Sequence, residues 1–271
     1  MFFNDDAKEI SAIIKSYNKE ILLNFIKIHI NAVSTTRNEI QYFRTFFPAL
    51  ETYLNSVRIP SVYFTCRTRE IHGKPMVTFG SRNTCELGDY FIVVKYIKNN
   101  ILIGQKTIIY QLKRSHTNSW KIDQRQLNFL KNWPSFNFGR TQNGSNSFRL
   151  RPTRPEYGSY VLINDLDKGL HESNIYGTAY DIHNNQEAGR IQLTNKQKFY
   201  YCSLLSYFNL MTWENGEPII QNTDIGDFNL ALYRYMGWEQ NEDDEFKNFN
   251  KKNSEESFWG IELTIGTEQK E

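Results

Sequence analysis

Two strongly apolar, β-branched and aromatic runs, Tyr90-Phe91-Ile92-Val93-Val94 and Thr107-Ile108-Ile109-Tyr110, constrain this chain most. Runs of this kind, bounded by turn residues, read as buried strands. Lys98-Asn99-Asn100 between them reads as a turn. A helix-like segment follows, with Ile122, Leu127 and Leu130 on its buried side, and it stops at Trp133-Pro134. Strand, turn, strand and helix in that order predict an α/β fold with a mixed central β-sheet flanked by helices.

Polar residues stand where these strands begin and end. Cys85-Glu86-Leu87-Gly88-Asp89 leads into the first, and Gln111-Leu112-Lys113 closes the second. Residues i and i+2 of a strand share a face, so Gln111 and Lys113 point one way and Leu112 turns into the core. Antiparallel pairing sets Asp89 beside them. A hard divalent cation takes oxygen ligands, here the Asp89 carboxylate, the Gln111 side-chain carbonyl and the Leu112 backbone carbonyl. Such an ion activates water and offsets charge on a phosphoryl group. Lys113 then orients the water or stabilises the transition state. The alternative is a plain hairpin with polar strand ends in water.

Asp89 with Gln111-Leu112-Lys113 resembles the PD-(D/E)xK, or restriction endonuclease-like, nuclease superfamily in its variant with Gln in the second ligand position. The resemblance covers Glu86 to Pro134. It implies Mg²⁺- or Mn²⁺-dependent hydrolysis of phosphodiester bonds, with DNA the expected substrate and Asp89, Gln111 and Lys113 catalytic. It departs from the pattern in having Gly88 rather than Pro before Asp89, and a neutral Gln as ligand. Glu86 is an auxiliary metal ligand or a turn-stabilising residue. By the same resemblance Gln126 supports the site and touches the scissile phosphate, and a carboxylate on a preceding helix joins it; the helices carry Glu39 and Glu51, and Glu51 is a candidate, the alternative being a solvent-facing side chain. The wider Glu86…Trp133-Pro134 arrangement looks like predicted bacterial restriction-like nucleases, some of them found with anti-phage systems.

Residues 1–57 read as a helical segment and 58–271 as the nuclease-like domain. Ile10, Ile13, Ile14 and Tyr17, then Leu22, Phe25, Ile26 and Ile30, then Ile40, Phe43, Phe47, Leu50, Leu54 and Val57 recur at helical spacing. This predicts either a layer over the sheet or an association surface. Thr36-Arg37-Asn38-Glu39 reads as a capping box, and Pro48 predicts a kink or restart. Ser61–Cys66 and Pro75–Phe79 read as strands flanking a basic loop, Arg67 to Lys74. There Arg67 and His72 hold nucleic-acid phosphate or are simply solvated; Arg114 and His116 are treated alike.

Further on, Gly139–Ser147 with Arg149, Arg151 and Arg154 forms the most basic stretch. Strands are expected at Tyr157–Ile163, Tyr176–Tyr180, Arg190–Leu193 and Phe258–Ile265, and helices at Lys196–Leu210 and Asp227–Tyr235. Residues 239–256 read as a solvated acidic segment. Net charge is +2 from 32 basic and 30 acidic residues, so any grip on nucleic acid must be local and salt-sensitive. Cys66, Cys85 and Cys202 lack metal spacing, and an odd count without a secretory signal predicts a reducing cytoplasm. No apolar run reaches the ~20 residues of a membrane span. A nuclease without a sensor domain needs control by homo-oligomerisation or a regulatory partner protein. A non-catalytic nucleic-acid- or protein-binding module on the same fold is the rival expectation.

Overall fold

A computed structural model describes residues 5–81, 83–117, 119–138, 147–165, 174–192, 201–239 and 256–267. The chain opens with helices α1 (Asp5–Ser16), α2 (Asn18–Thr35) and α3 (Glu39–Ser56). Strand β1 (Tyr63–His72) and the hairpin β2 (Met76–Phe79) and β3 (Asn83–Glu86) follow. Then come the long strands β4 (Tyr90–Lys98) and β5 (Ile101–Ser115), β6 (Ser119–Lys121) and helix α4 (Gln124–Asn132). Next are β7 (Phe136–Phe138), β8 (Ser147–Phe148), β9 (Gly158–Asn164), β10 (Asn174–Thr178), α5 (Ala179–Asn185), β11 (Arg190–Gln192) and β12 (Tyr201–Cys202). Helix α6 (Ser203–Met211), β13 (Glu217–Pro218), α7 (Asp224–Tyr235) and β14 (Ser257–Thr267) complete the chain.

The protein is α/β, with a mixed main sheet ordered β1-β14-β4-β5-β9-β10-β12 and β13 paired to β5. β4 runs antiparallel to β5, β5 parallel to β9, and β14 parallel to β4. The expected C-terminal strand thus forms, and it lies between β1 and β4. Asn99 and Asn100 both take left-handed backbone in the β4–β5 turn, with φ of 51° and 62°. Two left-handed residues match the twist of a tight hairpin.

Alternation along the strands feeds two cores. Tyr90, Ile92, Val94, Ile108, Tyr110 and Leu112 meet α1, α2, α3 and α6 on one face. Phe91, Val93, Ile109, Tyr160 and Leu162 meet α4, α5, α7 and the small sheet β3-β2-β7-β8 on the other. Both faces are covered, which is why the strands read as continuous apolar runs. The N-terminal helices are a layer over the sheet. Fully burying each such side chain contributes about 1.5–3 kcal/mol. No helix among the described residues is long and apolar enough to cross a membrane.

Several local expectations differ from the structure. The basic segment Arg67 to His72 is strand, not loop; its alternate residues pack on the sheet, leaving the arginines at its rim. Asn38, not Thr36, caps α3, accepting from the Gln41 N–H at 2.9 Å. The Thr36 hydroxyl instead donates to the Ala32 carbonyl. Helix α3 runs through Pro48 without a restart. Helix α6 begins only at Ser203. The expectations for Gly139–Asn146, Leu193, Lys196–Tyr200 and the acidic segment from 240 to 255 lie outside the described residues.

Candidate functional site

Asp89 is held at the point where three strands converge. Its N–H donates to the Tyr110 carbonyl at 2.9 Å, and its carbonyl accepts from the Trp259 N–H at 3.0 Å. The ladder pairs Tyr90 with Tyr110, so the next step outward faces Asp89 with Gln111. A β-carbon at Gly88 would lie 2.9 Å from the Tyr110 carbonyl oxygen. That crowding accounts for Gly88: a Pro there would carry its β-carbon into the neighbouring strand.

Asp89 and Gln111 are buried, and their side chains touch. Asp89 Oδ2 accepts from the Leu112 backbone N–H at 2.7 Å and from Gln111 Nε2. Gln111 Nε2 also donates to the Leu112 carbonyl at 3.2 Å. Gln111 Oε1 accepts from Gln126 Nε2, and Gln126 Nε2 reaches the Glu86 carbonyl at 3.1 Å. Gln126 is aimed by the first turn of α4, whose N-cap Asp123 accepts from the Arg125 and Gln126 N–H groups at 2.8 and 3.2 Å. Asp89, Gln111 and Gln126 therefore form one connected network.

Two residues that sequence reasoning left aside complete the cluster. Lys74 Nζ stands 2.8 Å from Asp89 Oδ1 and 2.8 Å from Glu86 Oε2. The β2–β3 register, Met76 opposite Glu86, brings Lys74 there. Glu39, the first residue of α3, accepts from the Arg114 N–H at 2.9 Å. Burial, then the charge of Asp89, raise the Glu39 pKa; Lys113, the Arg114 N–H and Lys74 oppose the rise. Glu39 thus shares the electrostatic field of Asp89 and Lys113. It is free to do so because Asn38, not Thr36, is the N-cap, which makes Glu39 the first helical residue and not the reciprocal member of a capping box.

Lys113 shares a strand face with Gln111 and is half-buried. No hydrogen bond or ion pair holds its ammonium among the described residues. Glu51 is elsewhere: it accepts from the Thr68 N–H at 2.9 Å and from the Thr68 hydroxyl, on edge strand β1.

Of the expected phosphate-binding residues, Arg114, His116 and Arg67 each pair with a carboxylate. Arg114 is buried; it donates to the carbonyls of Val33 and Thr36 at the end of α2, at 3.0 and 2.7 Å, and pairs with Asp165 at 2.6 Å. A cation suits those orphan carbonyls, and this commitment leaves Arg114 no hold on phosphate. His116 pairs with Asp165 at 2.9 Å. Arg67 pairs with Glu262 at 2.9 Å and lies over the Trp238 ring, 4.7 Å from its centre. His72 ends β1 with its Nδ1 buried and unpartnered among the described residues. The Arg154 backbone N–H docks on buried Glu217 at 2.9 Å. Asp181 closes a capping box with Thr178 at the start of α5.

Among the described residues no group of three or more His, Cys, Asp and Glu is arranged to hold a metal. The carboxylate oxygens that do converge are Asp89 Oδ1 and Glu86 Oε2, both 2.8 Å from one shared point. Two such oxygens fit a hard divalent cation, which keeps several waters and takes one or two protein carboxylates. Gln111 turns its nitrogen, not its oxygen, toward Asp89, so here it orients the carboxylate. No protein-family model matches this chain, no curated protein matches it, and no solved structure matches it.

Proposed function

We propose that this protein is a metal-dependent nuclease of the PD-(D/E)xK type, hydrolysing phosphodiester bonds of DNA. The observation that carries the reading is the convergence of Asp89, Glu86, Gln111 and Gln126 at one end of the β4–β5 pair, with the Lys113 ammonium on the same face in no hydrogen bond or ion pair among the described residues. An α3–β1–β4–β5–α4–β9 order with β5 parallel to β9 supports a restriction endonuclease-like core. Asp89 and Glu86 would hold Mg²⁺ or Mn²⁺, which supplies an activated water and neutralises phosphoryl charge. Leu112 N–H and Gln111 hold Asp89 Oδ2, so the other oxygen, Oδ1, keeps one direction. Gln126 fixes Gln111 in turn. Glu39 adds a carboxyl group able to hold or release a proton beside the site. Lys113 meets negative charge growing on the phosphate.

The test incubates plasmid, linear duplex and single-stranded RNA with the protein in Mg²⁺, Mn²⁺ or EDTA, beside Asp89→Asn. Cleavage of DNA that needs the metal and Asp89 is expected; DNA left intact under every condition defeats the proposal. One observation favours a second reading, a non-catalytic binding module: each Asp89 oxygen already has a protein partner. That reading predicts nucleic acid or protein bound without hydrolysis.

A further inference from the structure

We infer that Lys74 is a built-in counter-cation: its ammonium holds the place of the divalent ion between Asp89 and Glu86, so that loading the site requires Lys74 to swing out. The inference rests on the reading of this cluster as a metal-dependent hydrolytic site.

The geometry makes the two occupants exclusive. Lys74 Nζ is 2.8 Å from one oxygen of each carboxylate, the spacing of charge-assisted hydrogen bonds. A Mg²⁺ ion taking the same oxygens would sit at about 2.0–2.1 Å from each. Ammonium and ion would then overlap, and their like charges repel in a poorly hydrated pocket. The ammonium cannot share the site; it can only leave it.

The surroundings allow that departure. The Lys74 and Glu86 side chains are 14% and 30% exposed, while Asp89 is 1% exposed, so the ammonium sits at the mouth and Asp89 at the floor. The Lys74 backbone has firm neighbours. The Gly73 N–H donates to the Glu256 carbonyl at 2.8 Å, and the Pro75 carbonyl accepts from the Leu87 N–H at 2.9 Å. Gly73 takes φ +92°, a left-handed conformation that suits glycine. Release is therefore a side-chain rotation about a fixed stem. A phosphodiester gives the released ammonium a new anionic partner, which couples metal loading to substrate arrival.

The test titrates Mn²⁺ into wild-type protein and Lys74→Met, reading free Mn²⁺ by electron paramagnetic resonance. A second measurement follows acetylation of Lys74 in wild-type protein with and without Mn²⁺ by mass spectrometry. Lys74→Met is expected to bind Mn²⁺ at least about tenfold more tightly, the ratio matching one hydrogen bond to a charged group. Mn²⁺ is expected to increase acetylation of Lys74. Equal Mn²⁺ affinity in the two proteins overturns the inference alone. No Mn²⁺ bound by either overturns the metal-site reading and the inference with it. Should Lys74→Met not fold, unchanged acetylation of the wild type with Mn²⁺ bound overturns the inference.

Discussion

Replacing Asp89 removes more than a ligand. In Asp89→Ala the buried Leu112 N–H loses its Asp89 acceptor, Gln111 loses a partner, and Lys74 keeps its ion pair with Glu86. An orphaned buried donor costs about 1–3 kcal/mol, and breaking one side of a buried ion pair costs about 3–5 kcal/mol. Lys74 retains Glu86 and some solvent, so a total of about 3–5 kcal/mol is expected, against a stability of about 5–15 kcal/mol. Asp89→Asn keeps an oxygen for the Leu112 N–H and should lose only about 1–3 kcal/mol. Urea unfolding followed by the fluorescence of the five tryptophans measures both. The Asp89→Asn, Lys74→Met double-mutant cycle then isolates the ion pair. An Asp89→Ala protein within about 1 kcal/mol of wild type would refute the reasoning, because such a loss is ordinary for an uncommitted position. It follows that activity comparisons belong on Asp89→Asn, which retains the fold.

Three further outcomes test other parts of the account. Glu39 has a raised folded-state pKa, so its contribution is fully present below the ordinary 4.5 and lost as pH rises through the folded value. Glu39→Gln should therefore raise the melting temperature at neutral pH, with the gain vanishing below pH 4.5; calorimetry across pH reads it. Lys106 is fully buried, its amine lies over Trp213, and burial first, then Arg154, lower its pKa to about 7. The unfolded chain binds the proton more tightly, so stability should rise with pH between about 7 and 10.5, and Lys106→Met should abolish that rise. Glu51 and Asn55 cover the free edge of β1, Asn55 meeting the Cys66 N–H at 2.8 Å. Glu51→Ala with Asn55→Ala should lower stability by about 1–3 kcal/mol and promote concentration-dependent association visible by light scattering.

The Asp89–Gln111 contact was legible because a strand's period of two and one antiparallel turn determine it locally. So were β4, β5 and α4, whose patterns are long and strong. Lys74 was not, because its arrival depends on the β2–β3 register, and the polar residues around it resemble loop. Arg67 and Arg69 misled for a related reason: β1 alternates, but its inward residues include Cys66 and Thr68 rather than large apolar groups. Glu39 lies near Asp89 while the candidate Glu51 holds Thr68; which residue caps α3 and which end of the helix meets the sheet cannot be read locally. Insertion of β14 beside β4 is a pairing between distant parts of the chain that no local signal carries. Gln111 shows the other limit: sequence places its amide, while only its neighbour Gln126 decides which atom faces Asp89.

The most direct measurement is Mg²⁺-dependent DNA cleavage by Lys113→Ala with its melting temperature recorded alongside. Lys113 has no hydrogen bond or ion pair among the described residues, so a structural role gives the substitution little to disturb. The account predicts an unchanged fold with cleavage reduced at least about 100-fold, the scale of one lost transition-state contact. Full cleavage by the folded variant would contradict it.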